Sequence, residues 1–188
     1  MNFGEAIKVC FQKYAVFSGR ARRSEFWYFY LFTILVTLVL NYIPHIVDVI
    51  LLLWALGIII PSLAVTVRRF HDIGKSGWYY LIYLIPHIIF VGLFFVIVIL
   101  VFFISESSGV DLINDIDILH NFTDTIDLIK GAFTASPSIF ISFAITGVVN
   151  FVVWIIWIIW MAKDSEPGEN KWGPNPKEQT ESSSAFNQ

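Results

Sequence analysis

Four long apolar runs constrain this chain more than any other feature of its sequence. They cover residues 26–43, 49–67, 78–104 and 138–161, and each approaches or exceeds the roughly 20 residues that a helix needs to cross a bilayer. Backbone amides inside hydrocarbon have to bond within their own segment, so each run is predicted to be an α-helix. The sequence therefore predicts an all-α membrane protein with four transmembrane helices.

The composition agrees with a lipid environment. Of the 188 residues, 56% are hydrophobic and only 14% are charged, whereas soluble domains carry about 25% charged residues. A water-soluble domain of this length leaves much of its surface exposed and cannot bury so much apolar area. Cys10 is the single cysteine, which excludes an intrachain disulfide and argues against a cysteine-based metal cluster.

The basic residues predict which side of the membrane each loop faces. Of the 12 lysines and arginines, all but Lys130 precede the first run, lie between the second and third, or follow the fourth. Cytoplasmic loops carry such an excess of positive charge. This distribution requires an even number of crossings, so both termini are predicted to be cytoplasmic.

Two segments outside the runs are predicted to be amphipathic, the leader as one helix and the outer segment as one or two surface helices. In the leader, apolar residues recur at helical spacing from Phe3 to Phe17, and Ser18-Gly19 supplies a helix stop. This pattern is typical of a helix that lies in the cytoplasmic interface of a membrane. On the outer side, residues 105–137 interleave acidic residues with leucine and isoleucine at three- and four-residue spacing.

Local signals predict how the runs begin, bend and turn. Pro44 and Asp48 interrupt the apolar sequence between the first two runs, which predicts a tight hairpin there. Pro61 followed by Ser62 predicts a kink backed by a hydroxyl group. Ser76 is predicted to cap the helix of the third run.

Three polar clusters flank the runs on the predicted cytoplasmic side. Residues 17–27 have the sequence FSGRARRSEFW, residues 68–78 have RRFHDIGKSGW, and residues 164–176 have DSEPGENKWGPNP. Each cluster combines cationic side chains with carboxylates, a glycine turn and a tryptophan at headgroup depth. We call their distinctive residues the cytoplasmic rim: Arg20, Arg23, Glu25, Trp27, Arg68, Arg69, His71, Asp72, Ser76, Trp78, Gly168, Asn170, Gly173, Pro174 and Pro176.

Together the three clusters closely resemble the bacterial inner-membrane family known only as domain of unknown function 805. The resemblance covers residues 1–176, and residues 177–188 are predicted to form a disordered cytoplasmic tail. Shorter family members pass from the third apolar segment almost directly to the last motif, so residues 105–137 and the fourth run form an insertion. The resemblance implies a bacterial plasma (inner) membrane location and no established activity.

Three roles are open for the cytoplasmic rim. Its arginines bind anionic lipid headgroups, pair with Glu25, Asp72 and Asp164 across helix ends, or hold an anionic solute or partner protein. The favoured hypothesis is a non-enzymatic structural or regulatory membrane component whose rim binds lipid headgroups or a partner protein. No cofactor, metal or nucleic acid is predicted, and the sequence leaves the oligomeric state open.

A small-solute transporter or channel is the first alternative. His87 and Asn150 lie inside the third and fourth runs, and polar residues at that depth are candidates for a transport path. The other explanation for both is hydrogen bonding between neighbouring helices, including to carbonyls freed by Pro86.

A membrane-embedded enzyme that uses the His71-Asp72 pair is the second alternative. Histidine is the usual general base near neutral pH. Adjacent residues on a helix do not face each other, so Glu25 or Asp164 would have to orient the imidazole. No other catalytic motif accompanies the pair.

Overall fold

The computed structural model describes residues 1–42, 47–108 and 122–178. The predicted hairpin around Pro44 lies almost entirely outside the described residues. Residues 109–121 of the outer acidic segment and residues 179–188 of the predicted tail also lie outside them.

Six α-helices and a short 3₁₀ turn make up the described regular structure. The 3₁₀ turn, Gly77–Tyr79, directly precedes the fourth helix. The helices are α1 (Phe3–Gln12), α2 (Arg23–Asn41), α3 (Val47–Asp72), α4 (Tyr80–Ser108), α5 (Phe122–Ala135) and α6 (Pro137–Ala162).

Four segments are long and apolar enough to cross a membrane. They are Arg23–Asn41, Val49–Asp72, Gly77–Ile104 and Pro137–Ala162, and they correspond one to one with the four predicted runs. The predicted class, an all-α membrane protein with four transmembrane helices, is confirmed. The main difference between the predicted and observed helices is that α3 continues past its predicted end to Asp72. The second polar cluster therefore begins on the last turns of α3.

The leader helix α1 is shorter than predicted. It starts with a capping box, in which Asn2 Oδ1 accepts from Glu5 N and Asn2 N donates to Glu5 Oε2, both at 2.9 Å. The predicted stop at Ser18-Gly19 is wrong, because the helix already ends at Gln12. Arg68 binds the carbonyls of Lys13 and Val16, and this outside donor replaces the helical bonds that would have continued α1. Its position at the membrane interface stays a prediction.

The chain divides into two compact units, Met1–Tyr80 with Ile156–Gln188, and Leu81–Ile155. In the first unit, α1 packs on α2 through edge-to-face aromatic pairs such as Phe11 and Phe29, whose centroids lie 5.8 Å apart. The second unit contains a stacked pair, Phe90 on α4 and Phe143 on α6, with centroids 4.5 Å apart.

Burial in this protein is distributed unlike that in a soluble domain. Large apolar side chains along the crossings are exposed, such as Ile59 at 55% and Val148 at 66%. Arg68, Arg69 and Asp72, in contrast, are 1% exposed or less. Exposing apolar faces to hydrocarbon carries no free-energy penalty, whereas buried charges require partners inside the protein. The positions of those partners define the site.

Candidate functional site

Five charged side chains of the rim meet in a buried group within the first unit. We call this group the arginine cluster: Arg20, Glu25, Arg68, Arg69 and Asp72. Their side chains are at most 4% exposed. Three guanidinium groups therefore share two carboxylates in a region of low dielectric, and the remaining donors need other acceptors.

Asp72 is the central acceptor of the arginine cluster. Its Oδ1 accepts from Arg20 Nε at 3.1 Å, and its Oδ2 accepts from Arg69 Nη1 at 2.5 Å and from Ser165 Oγ at 2.7 Å. Arg69 lies three residues before Asp72 on α3, a spacing that places both side chains on one helix face. One carboxylate thus joins α3 to two other segments of the chain.

Arg20 uses all five of its N–H donors. Besides the Nε bond, Nη1 donates to the carbonyls of Gly168 at 2.8 Å and Gly173 at 3.3 Å. Nη2 donates to the carbonyls of Asp72 at 3.3 Å and Glu166 at 2.5 Å. A planar guanidinium with five donors suits this task, and a lysine ammonium with three does not. Arg20 therefore fastens the 164–176 segment to the end of α3.

Two arginines cover the carboxyl end of α6, where backbone carbonyls lack helical partners. Arg69 donates from Nε to Met161 O at 3.1 Å and from Nη2 to Lys163 O. Arg23 donates to Ala162 O at 3.3 Å and pairs with Asp164 at the same distance. Positive charge at a helix C-terminus also interacts favourably with the helix dipole. The end of the fourth crossing is thus held by side chains of α2 and α3.

Arg68 joins α3 to α1 and α2. Its Nη2 donates to Glu25 Oε1 at 2.8 Å, and its Nη1 donates to the carbonyls of Lys13 at 3.2 Å and Val16 at 2.6 Å. The buried Nε has no hydrogen-bond partner among the residues that the structure describes. Such an unpaired donor costs about 1 to 3 kcal/mol.

Cys10 lies against this side of the arginine cluster. Its sulfur is 4.0 Å from Glu25 Oε1, and the residue is fully buried. Burial, and secondarily the charge of Glu25, raises the pKa of the Cys10 thiol to about 12. The group is therefore a protonated, apolar core residue near neutral pH.

His71 faces an aromatic ring and a carbonyl. Its imidazole stacks on Trp172 with centroids 4.5 Å apart and planes at 9°, and Nδ1 lies 3.1 Å from Gly19 O. Glu25 instead pairs with Arg68, and Asp164 pairs with Arg23. The geometry required for a His71 general base oriented by either carboxylate is therefore not found in the described part of the chain.

The glycine and asparagine residues of the last motif shape the acceptors for Arg20. Gly168 has φ +67° and Gly173 φ +119°, a backbone region that favours glycine. Asn170 donates to the carbonyl of His71 at 3.0 Å and accepts from Trp172 N at 3.0 Å. Pro176 O accepts from Arg22 Nη2 at 2.5 Å. Pro174 belongs to the same turn.

The remaining rim residues lie at the starts of two crossings. Trp27 contacts Phe26 and Trp157 edge to face, with centroids 5.3 Å and 6.3 Å apart. Ser76 caps the 3₁₀ turn by accepting from Trp78 N at 3.5 Å. Trp78 is 77% exposed. Among the described residues, neither tryptophan makes a hydrogen bond or a cation–π contact with the arginine cluster.

The two intramembrane polar residues make contacts within the second unit. Asn150 Nδ2 donates to the carbonyls of Pro86 at 3.0 Å and Thr146 at 2.9 Å, so its amide links α6 to α4. His87 stacks on Tyr83 with centroids 5.7 Å apart. The helix-bonding explanation therefore accounts for Asn150.

Several residues of the site carried no clear sequence signal. Ser165 binds Asp72, and Asn175 is buried and donates to Glu166 O at 3.3 Å. Asn175 lies between two prolines, a turn-forming pattern that marks it in retrospect. Lys177 pairs with Asp164, and Glu178 accepts from Gly168 N at 3.1 Å. These contacts involve the first two residues of the predicted disordered tail.

The described side chains were also compared with the ligand sets that bind metal ions. No group of three or more His, Cys, Asp or Glu side chains suited to a metal ion occurs in the described part of the chain.

Comparison with known proteins assigns the chain to a family. A family model described as "Protein of unknown function (DUF805)" matches residues 14–111, which is about half of the chain. The chain belongs to the DUF805 family. The matched region contains the rim clusters at 17–27 and 68–78, and the cluster at 164–176 lies beyond it.

Two relatives of this DUF805 protein come from Escherichia coli K12. The inner membrane protein YhaI is 38% identical over 102 residues, which cover 52% of this chain and 81% of the relative. The inner membrane protein YhaH is 34% identical over 95 residues, which cover 46% and 76%. No solved structure matches the chain. The family, the relatives and the four apolar helices together identify a membrane protein.

Proposed function

We propose that this DUF805 protein is a non-enzymatic structural or regulatory component of the bacterial inner membrane, whose cytoplasmic rim binds anionic lipid headgroups. The observation that carries the proposal is the division of the rim's cations into two sets. The arginine cluster is buried and bonded within the protein, and a second set of cations lies at the surface around it.

The buried set has a structural role in this proposal. Arg20 and Arg69 together bond to the turn at 164–176, the end of α6 and Asp72. Their donors are used inside the protein, so they do not bind headgroups themselves. They hold three chain segments together and thereby fix the surface on which the other cations lie.

The surface set would make the lipid contacts. Lys8, Lys13, Lys163 and Lys171 are exposed, and Arg23 is 44% exposed at its side chain. Each cation near an anionic membrane surface contributes about 1 kcal/mol of binding. Flanking tryptophans such as Trp78 are suited to the headgroup region. The excess of basic residues supports a cytoplasmic location for this surface.

Lipid retention by the full chain tests the proposal. The protein would be reconstituted in bilayers of phosphatidylglycerol and phosphatidylcholine, extracted gently, and the retained lipids counted by native mass spectrometry. We expect enrichment of phosphatidylglycerol, and a loss of that enrichment in the triple variant K8Q/K163Q/K171Q. The matched control is K130Q, which removes an exposed cation predicted to lie on the other side.

Equal retention of both lipids by the parent protein would contradict lipid binding. If the parent shows no lipid preference but specific cross-links join the rim to one membrane protein, then a protein partner occupies this surface and the lipid proposal is wrong.

A further inference from the structure

We propose that a cavity beside the arginine cluster binds a phosphoryl group. The cavity has a volume of about 460 Å³ and lies in the first unit, between the end of α1, the segment before α2 and the turn at 172–176. This volume falls within the range of small-molecule sites, about 300 to 1,000 Å³. The residues that decide its chemistry are Lys13, Arg20, Arg22, Glu25, Trp172 and Pro174.

The cavity lining carries an excess of positive charge. Three cationic side chains and one carboxylate line it, which gives the lining side chains a formal charge of +2. The carboxylate, Glu25, is already paired with Arg68 at 2.8 Å, and Arg20 is paired with Asp72 at 3.1 Å. Charged groups beside low-dielectric walls focus the local field, so an anion is the favoured occupant.

Lys13 supplies the donors for that anion, and Arg22 adds a second positive charge to the lining. The Lys13 ammonium makes no ion pair or hydrogen bond with any residue that the structure describes, and the side chain is exposed. Arg22 is anchored by its bond from Nη2 to Pro176 O at 2.5 Å. An ammonium group that donates hydrogen bonds, next to the positive charge of a guanidinium group, suits the several oxygens of a phosphoryl group.

The apolar part of the cavity lining suits the remainder of a phosphorylated molecule. Trp172 and Pro174 contribute apolar surface. The indole of Trp172 is held in place by its stack on His71, so this part of the lining is preorganised before a ligand arrives. Preorganisation reduces the entropic cost of binding.

The same chemistry has two possible sources, a phospholipid headgroup and a free phosphate or phosphorylated solute. In the lipid case this inference deepens the proposed function and rests on it. In the solute case it stands independently. The experiment therefore offers both sources to the same protein.

The test uses the full chain in detergent, titrated separately with inorganic phosphate, short-chain phosphatidylglycerol and short-chain phosphatidylcholine, with binding counted by native mass spectrometry. We expect K13Q to weaken phosphoryl binding about tenfold or more, the loss of one charge-assisted contact. We expect R22Q to weaken it as well, because it removes the neighbouring positive charge. The matched control is K130Q, which removes an exposed cation of α5. Lys130 does not line the cavity and is not among the surface cations proposed to bind lipid, so this variant should leave binding unchanged.

The pattern of ligands identifies the source. Binding of phosphate and phosphatidylglycerol in competition supports a site that accepts either, and binding of one alone supports that source. Saturable binding that K13Q and R22Q do not weaken would overturn the inference. The inference would also be wrong if neither inorganic phosphate nor phosphatidylglycerol bound. K13Q breaks no described contact, so its effect cannot be attributed to misfolding.

The two proposals fail in different ways. If bilayer-reconstituted protein enriches phosphatidylglycerol but K13Q and R22Q have no effect on titrations, the cavity assignment is wrong and the proposed function stands. If phosphate binds with the expected dependence on Lys13 but the bilayer experiment shows no lipid preference, the cavity is a solute site and the proposed function is wrong.

Discussion

The hydroxyl of Tyr14 donates a 2.5 Å hydrogen bond to the carbonyl of Gly57 on α3. In an α-helix this carbonyl would accept from the residue four positions later, which here is Pro61, a residue without an N–H. The bond therefore supplies the donor that proline removes, in a crossing where water is not available to do so. The sequence predicted a hydroxyl near this proline, but from Ser62 and not from the leader.

Replacing Tyr14 with phenylalanine removes only this donor. We expect Y14F to lower the free energy of unfolding by about 1 to 3 kcal/mol, because the Gly57 carbonyl is left unpaired. Thermal unfolding of the detergent-solubilised protein measures this loss. Y28F, which alters another tyrosine of the same unit with no described hydroxyl bond, is the control.

A second substitution tests the cause of that loss. P61A restores a backbone N–H at the position that can reach the Gly57 carbonyl, so Y14F should cost less in a P61A background than in the parent chain. The double-mutant cycle isolates the coupling between the two residues. An identical cost in both backgrounds would show that Tyr14 does not act through the proline-freed carbonyl.

Asp72 should be the least replaceable carboxylate of the rim. D72N leaves Arg20 and Arg69 buried without their counter-charge, and we expect a loss of about 3 to 5 kcal/mol of stability. The amount of folded protein in membranes and its thermal unfolding report the effect. D164N provides the comparison, because Asp164 is exposed and its loss should change stability little. Similar behaviour of the two variants would contradict a structural role for the cluster.

Arg20 cannot be replaced by lysine without releasing the 164–176 segment. Lysine keeps the charge but has three donors in place of the five that Arg20 uses. We expect R20K to accelerate chymotrypsin cleavage after Trp172, whereas R23K should not. Unchanged cleavage in R20K would mean that the other contacts of the segment hold it alone.

Cys10 should be unreactive in the folded protein. Burial raises the pKa of its thiol to about 12, and the thiolate is the reactive form. At about pH 8 we expect slow maleimide labelling until the protein is denatured, and rapid labelling of a cysteine placed at the exposed Ser18 in a C10A background. Because the folded pKa lies above that of an exposed thiol, 9.0, the thiol's stabilising contribution is complete below pH 9 and is lost as the pH rises towards 12.

The orientation of the chain also has a direct test. With both termini cytoplasmic, a reporter fused after Gln188 should remain inside the cell, and a cysteine placed at Lys130 in a C10A background should react with an impermeant reagent from outside. An exported reporter would contradict the even number of crossings and the predicted location of the rim.

The helices could be predicted from sequence because a sufficiently long apolar run has few alternatives to a helix inside a lipid bilayer. The Arg69–Asp72 pair follows from the same logic, since residues three apart on a helix share a face. The charged residues of the first two clusters could also be identified as candidates, because cations and carboxylates directly beside apolar runs are costly to bury unless they have partners.

The partners of the cluster could not be predicted in the same way. Arg20 bonds mainly to backbone carbonyls of the 164–176 segment, and every residue type carries a carbonyl. The early end of α1 has a similar origin, because its apolar pattern continues beyond Gln12 and the distant Arg68 binds the carbonyls of Lys13 and Val16. Backbone carbonyls that accept hydrogen bonds from distant side chains do not change the spacing of apolar residues in the sequence, so they could not be predicted from it.

The bonding of Arg20 to the segment that follows α6 has a consequence for synthesis. A ribosome delivers Arg20, Glu25, Arg68 and Asp72 early, whereas the carbonyls of Gly168 and Gly173 emerge only after the fourth crossing has been made. Until then, several of these guanidinium donors have no native acceptors within the nascent polypeptide. Completion of the cluster thus coincides with completion of the membrane domain, and a chain that stalls before that moment retains buried guanidinium donors without their native carbonyl acceptors.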